Sequence, residues 1–190
     1  MTDKNYITII LGHIGIGFLI FLFPFLSKIY AGSIIIAGLY FVITSKNKNN
    51  EALFIAAYIV GSEVFLRASH GNPFHEYGKY FVMLFMGLGI FYDKIPKRSN
   101  PYWIYLFLLI PGIISALETL KIDVRTTILF NISGPICLGV CALYMYQRKI
   151  TSGEMNTWWV GIGLPVLSCV AFLFLKCPIL ELPIISPRSN

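Results

Sequence analysis

Apolar blocks, each close to the length of a membrane-crossing helix and separated by short polar turns, run through this chain from Ile7 to Lys176. A helix needs about 20 apolar residues to cross a hydrocarbon core about 30 Å thick. In lipid every backbone donor and acceptor must be met within the helix or within a closed barrel. A barrel strand would alternate apolar and polar residues over about ten positions, and no block here does so. The blocks therefore predict helices near 7–26, 29–45, 51–68, 77–93, 101–118, 126–147 and 157–176. Together they form one all-α domain over 1–190, a polytopic transmembrane helix bundle of about seven spans.

Composition separates this reading from a soluble helical domain. Only 13% of the 190 residues are charged and 56% are hydrophobic, where a soluble domain carries about 25% charged residues. A domain of this size leaves much of its surface facing water, so the deficit has nowhere to hide. The net charge of +6 does not predict nucleic-acid binding, because the basic residues sit in short clusters between apolar blocks. Membrane lipid is the expected surrounding partner. Aromatic pairs such as Tyr102-Trp103 and Trp158-Trp159 fall at block edges, the interfacial belt position.

The same clusters set an orientation. With the N-terminus inside, the inner segments hold Lys4, Lys46, Lys48, Lys94, Lys97, Arg98, Arg148 and Lys149. The outer ones hold Lys28, Arg67, Lys79, Lys121, Arg125, Lys176 and Arg188. The difference in number is small, but the inner charges are packed into short turns, where the positive-inside rule acts most strongly. Several outer ones neighbour acids. The expected topology is N-in and C-out, with 177–190 opening an extracytoplasmic loop. Met1-Thr2-Asp3-Lys4 resembles the start of a signal peptide, yet the apolar stretch after it is too long and no small-x-small site follows. It reads as a retained first helix. Pro24, Pro111, Pro135 and Pro165 fall inside apolar blocks, where neighbouring helices meet the freed carbonyls.

Four cysteines supply no framework. Cys137 and Cys141 share a helix face, Cys169 lies in another block and Cys177 near a membrane edge. Small buried hydrophobes account for them better than a zinc or redox site does. His13, among Gly12, Gly15 and Gly17, suits a hydrogen bond between helices. Asn131 and Ser133 beside Gly134-Pro135 mark a kinked, packed helix.

The chemistry concentrates in Gly61-Ser62-Glu63-Val64-Phe65-Leu66-Arg67-Ala68-Ser69-His70 and in His75-Glu76-Tyr77-Gly78-Lys79-Tyr80. Glu63 and Arg67, four apart with the acid first, share a helix face. Ionisable groups inside a span seldom face lipid. The Gly71-Asn72-Pro73 turn folds the next span back, so Glu76 and Lys79 arrive at a similar depth. Two readings stand. One is a structural ion-pair network that locks two helices and lets the cations snorkel outward. The other is an anionic-ligand site, with Arg67 as a bidentate donor and Lys79 as a point charge. His70 and His75 fit ordinary loop histidines, and with only Glu76 near them no metal site is expected. No recognised set of acid, base and nucleophile is visible, so catalytic residues are unknown and no cofactor is expected.

The run from Ala56 to Gly89, AAYIVGSEVFLRASHGNPFHEYGKYFVMLFMGLG, resembles O-antigen ligase/polymerase-like membrane proteins of Bacteroidetes. Gly61, Glu63 and Arg67 fit the family's G-x-E-x-x-x-R element, and Glu76, Gly78, Lys79 and Tyr80 its E-x-G-K-Y element. Phe130-Asn131-Ile132-Ser133-Gly134-Pro135 followed by Arg148-Lys149 also fits. The resemblance implies a protein of the bacterial inner membrane that transfers a glycan from undecaprenyl diphosphate to an acceptor sugar at the periplasmic face. Cations there would stabilise the departing pyrophosphate. It implies substrate binding by Arg67 and Lys79, oriented by Glu63 and Glu76, with Arg125 and Arg188 as further candidates on that side. Family members have more spans and a large outer loop bearing catalytic His and Arg residues, so the chain is expected to be an N-terminal part. It would be inactive by itself and complemented by a C-terminal companion chain. The competing class is a non-enzymatic transport or assembly subunit that uses the Glu63–Lys79 hairpin to bind a partner.

Overall fold

The computed structural model describes residues 3–93, 99–119, 124–146 and 148–180. Seven helices occupy them, with no strand among the described residues: α1 Asp3–Leu22, α2 Leu26–Ser45, α3 Glu51–Ala68, α4 Tyr77–Tyr92, α5 Asn100–Thr119, α6 Val124–Met145 and α7 Ser152–Leu180. The all-helical expectation holds, and each helix falls on its expected block. Lys94, Lys97, Arg98, Lys121 and Arg188 lie outside the described residues, as do 181–190 of the expected outer loop; residues 177–180, expected to open that loop, instead continue α7 to Leu180.

Several boundaries move by three to five residues, two of them for local reasons. The first helix stops at Leu22 rather than near 26, because Pro24 has no N–H to continue the ladder. The chain turns through Pro24, with Ser27 N–H bonded to its carbonyl at 3.1 Å, and restarts as α2. The last helix begins at Ser152, five residues before the expected 157. Thr151 and Glu154 close a capping box there: Thr151 N–H donates to Glu154 Oε2 at 2.7 Å, and Glu154 N–H donates to Thr151 Oγ1 at 3.3 Å. Two of the orphan donors of a helix start are thereby met.

The third helix is the hub. It packs on α7, α4 and α2, while α1 adds to α7, α6 to α4, and α5 to α6 at the edge. Ile59, Leu66, Tyr77, Val82 and Phe85 lead the main core between α2, α3 and α4; Ile20, Phe65, Cys169 and Phe172 form a second one between α1, α3 and α7. The α3–α7 contact is backbone-close. A Cβ on Gly61 would collide with the carbonyl oxygen of Ile162, so only glycine fits there. Such small-residue contacts let helix backbones approach closely.

The outside of the bundle is apolar. Phe91 is 81% exposed, Phe174 80%, and Ile36, Tyr40, Leu108 and Trp159 are nearly as open. By length and composition two helical segments suffice to cross a membrane, Leu26–Ser45 and Ser152–Cys177; Tyr6–Leu22, Tyr77–Tyr92 and Ile132–Met145 are apolar but shorter. α3, with 18 residues, carries Glu51, Glu63 and Arg67 within that length.

His13 does join helices. Its Nδ1 lies 3.0 Å from the Ile9 carbonyl, which can only accept, so Nδ1 carries the proton. In the neutral ring Nε2 then accepts from the Tyr58 hydroxyl at 3.0 Å, and Tyr30 donates to Tyr58 at 2.7 Å. One polar chain thus ties α1, α3 and α2 across an apolar interior. Cys169 is buried, Cys137 and Cys141 are half-buried, Cys177 is exposed, and all are free thiols. Ser133 is buried, as the packed-helix reading requires.

Candidate functional site

At the end of α3 the i,i+4 spacing does what the sequence implies. Glu63 Oε1 accepts from Arg67 Nη2 at 2.6 Å and from Arg67 Nε at 3.1 Å. The Glu63 carboxylate rests on α4 at Gly78, where a Cβ would stand 2.5 Å from Oε2. Gly78 is therefore the gap that lets the two helices close around a half-buried acid. On α4, Lys79 pairs with Glu76 across one turn, and the Lys79 carbonyl lies 3.8 Å from Cys137 Sγ, which brings in α6. All four expected site residues meet at one end of one hairpin. They meet as two separate pairs, each acid holding the cation of its own helix.

The two cations differ in what they face. Arg67 borders a pocket of about 380 Å³ lined also by Leu66, His70, Asn72, Phe74 and His75. Lys79 does not line it. Sequence reasoning set the histidines aside as ordinary loop residues, yet they share a pocket with the arginine. Arg125 lies in the first turn of α6, with its side chain outside the described residues, as Arg188 is altogether.

A second polar assembly, which sequence reasoning missed, stands at the opposite end of the bundle. The α2–α3 turn passes through left-handed backbone at Lys46, Asn47 and Asn50 (φ 55°, 56° and 58°). That conformation is tolerable for asparagine, and it turns Asn47, 2% exposed, into the interior. Its amide donates to Asp93 Oδ2 at 2.5 Å and to the Tyr144 hydroxyl at 3.2 Å, and its carbonyl accepts from Ala52 N–H at 2.9 Å. Arg148 donates to Asp93 Oδ2 at 2.8 Å and to Asn50 Oδ1 at 2.5 Å, while its guanidinium lies 3.7 Å from the Tyr144 ring centroid. Asn50 in turn donates to Glu154 at 2.6 Å. Four chain segments are knotted by charge-assisted bonds, with the partners of each group already supplied. Chemically this is a lock rather than a binding site. The sequence signal that could have pointed to part of it, the Thr151-x-x-Glu154 capping-box spacing, was not used.

No protein-family model, curated protein or solved structure matches the chain.

Proposed function

We propose that this chain is a multi-pass helical bundle of the bacterial inner membrane, N-in and C-out. In this reading it is the membrane portion of an O-antigen ligase/polymerase-like transferase that handles undecaprenyl-diphosphate-linked glycan at the outer face. The observation that carries the reading is the convergence of Arg67, Glu63, Lys79 and Glu76 at one end of the α3–α4 hairpin, beside a pocket. Arg67 contacts the diphosphate, Lys79 adds a second positive charge nearby, and the two acids hold both cations in place. The apolar outer surface of the bundle supports its immersion in lipid.

Two measurements test this. Single-cysteine labelling from outside, in a cysteine-free background, is expected at Asn72 and not at Lys97. Labelling at Lys97 instead reverses the orientation and places the hairpin on the wrong side. In nanodiscs, Arg67→Ala is expected to weaken a lipid diphosphate about ten- to a hundredfold, roughly 1.5–3 kcal/mol for a lost charge-assisted bond, and Lys79→Ala, which removes a nearby charge outside the pocket, by less. Lys121→Ala, in the loop that the sequence places between Glu118 and Asp123, serves as the control expected to be unaffected. If both variants lose stability while affinity per folded molecule stays level, the pairs are an ion-pair lock and the subunit reading takes over.

A further inference from the structure

α1 and α7 run parallel. Ser168 donates to the His13 carbonyl at 2.8 Å, and one to two turns further along each helix Phe21 meets Phe172 edge-on, ring centroids 6.3 Å apart. Their backbones touch at Gly17, where a Cβ would collide with the Ser168 carbonyl oxygen. On the outward side of this contact lie two depressions. One, of about 380 Å³, is bordered by Ile14 and Phe18 of α1 and by Leu167 of α7. The other, of about 460 Å³, is bordered by Leu173 and Lys176. They share Val170 and Phe174, so they form one continuous slot.

The length of the slot is informative. From Leu167 to Lys176 the helix rises roughly 14 Å at 1.5 Å per residue, and half of a hydrocarbon core is about 15 Å. Ser152–Cys177 is one of the two segments long and apolar enough to cross a membrane, and Lys176 stands at its end. The slot therefore covers one leaflet, from the interface to the middle of the bilayer. Its lining is apolar until the interfacial end, where Lys176 supplies a positive charge. Among the described residues no carboxylate pairs with that ammonium, which lies 5.7 Å from the Phe172 ring centroid.

We infer that this slot holds one acyl chain of an anionic phospholipid, with the lipid phosphate at Lys176. The inference rests on the bilayer-embedded part of the reading above and not on the transferase activity. A partner helix is a poor occupant, because helices meet in membranes over small residues that let their backbones approach. Here only Ala171 is small, while Phe18 and the 80% exposed Phe174 stand as ridges. A flexible chain fills the gap between such ridges. A polyprenyl tail of many isoprene units outruns a slot of this length, whereas a phospholipid chain ends where the slot ends. At the interface a lysine near an anionic headgroup contributes about a fivefold preference, and the long stem of Lys176 lets its ammonium reach the phosphate from within the apolar layer.

The test places the whole chain in bilayers, with Trp103, Trp158 and Trp159 replaced by Phe. One fluorescent reporter is then introduced, either Phe174→Trp in the slot or Ile36→Trp on the exposed face of α2. Brominated phosphatidylglycerol should half-quench the slot reporter at about fivefold lower mole fraction than brominated phosphatidylcholine with the same chains. The two lipids should quench the α2 reporter alike. Lys176→Gln should abolish the preference. Val170→Phe, which fills the slot from its outward side, should bring quenching of the slot reporter down to that of the α2 reporter. Neither change should shift the melting temperature, since both lie on the surface of the bundle. Equal quenching of the slot reporter by the two lipids, or a preference that survives Lys176→Gln, overturns the site. Relief of quenching by undecaprenyl phosphate as strong as that by unbrominated phosphatidylglycerol overturns it as well. So does a slot reporter that neither lipid quenches while the α2 reporter is quenched, which would show protein in the slot. If neither reporter is quenched, the bilayer reading falls too, whereas failure of the site alone leaves the labelling at Asn72 and the Arg67→Ala binding result standing.

Discussion

Arg148→Ala is expected to lower the unfolding free energy by about 3 kcal/mol, more than any substitution in the outer hairpin. The guanidinium bonds to Asp93, Asn50 and the Tyr144 carbonyl and lies against the Tyr144 ring, with its side chain only 15% exposed. Its removal takes the cation from the Asp93 carboxylate, which keeps only the Asn47 amide, and the donor from the Asn50 carbonyl oxygen, and losing one partner of a partly buried charge pair is what makes such losses large. Arg148→Lys should recover little of the loss, because an ammonium cannot reach Asp93 and Asn50 with a planar fork. Equilibrium unfolding in mixed micelles, compared with Asp93→Ala and the double variant, measures it. The double variant should be less destabilised than the sum of the two singles, since they remove the same pair. Full additivity would show that Arg148 and Asp93 do not interact in solution.

The second large effect concerns the α3–α7 contact. Gly61→Leu is expected to cost about 3 kcal/mol or more, since even a single Cβ meets the Ile162 backbone carbonyl and nothing flexible is there to move aside. Gly61→Ala should already destabilise. The matched control is Gly12→Ala on α1, where a Cβ meets nothing within 4 Å and alanine gains about 0.5–1 kcal/mol over glycine in a helix. Opposite signs for two Gly→Ala substitutions, read by the same unfolding assay, would establish that α3 and α7 touch backbone to backbone. Equal signs would mean that the two helices are further apart than described.

Much of this molecule is a consequence of local pattern. Block length and proline position place the helices, because an apolar run long enough to span lipid is also long enough to be recognised without knowing its neighbours. The Glu63–Arg67 pair is equally local: residues four apart share a helix face whatever surrounds them. The depth match of Glu76 and Lys79 follows from the short turn that joins α3 to α4. What the spacing left open was whether the four charges cross-pair. The close approach at Gly78 settles the geometry, with each acid keeping its own helix's cation.

The tertiary structure alone decided the rest, for a reason visible at two places. Asn47, Asp93 and Arg148 are ordinary loop-edge polar residues in sequence, and their pairing depends on three turns arriving at one end of the bundle together. No periodicity encodes a contact between residues so far apart. At the end of α3 the left-handed closing position is one that glycine favours, and a glycine, Gly71, stands one residue beyond it. The packing of Ser27 leaves no room for a Cβ at position 71, so the glycine is held for that contact and the left-handed position falls to His70. One glycine faced two demands, and the helix that packs against it, absent from any local reading, determined which demand it met.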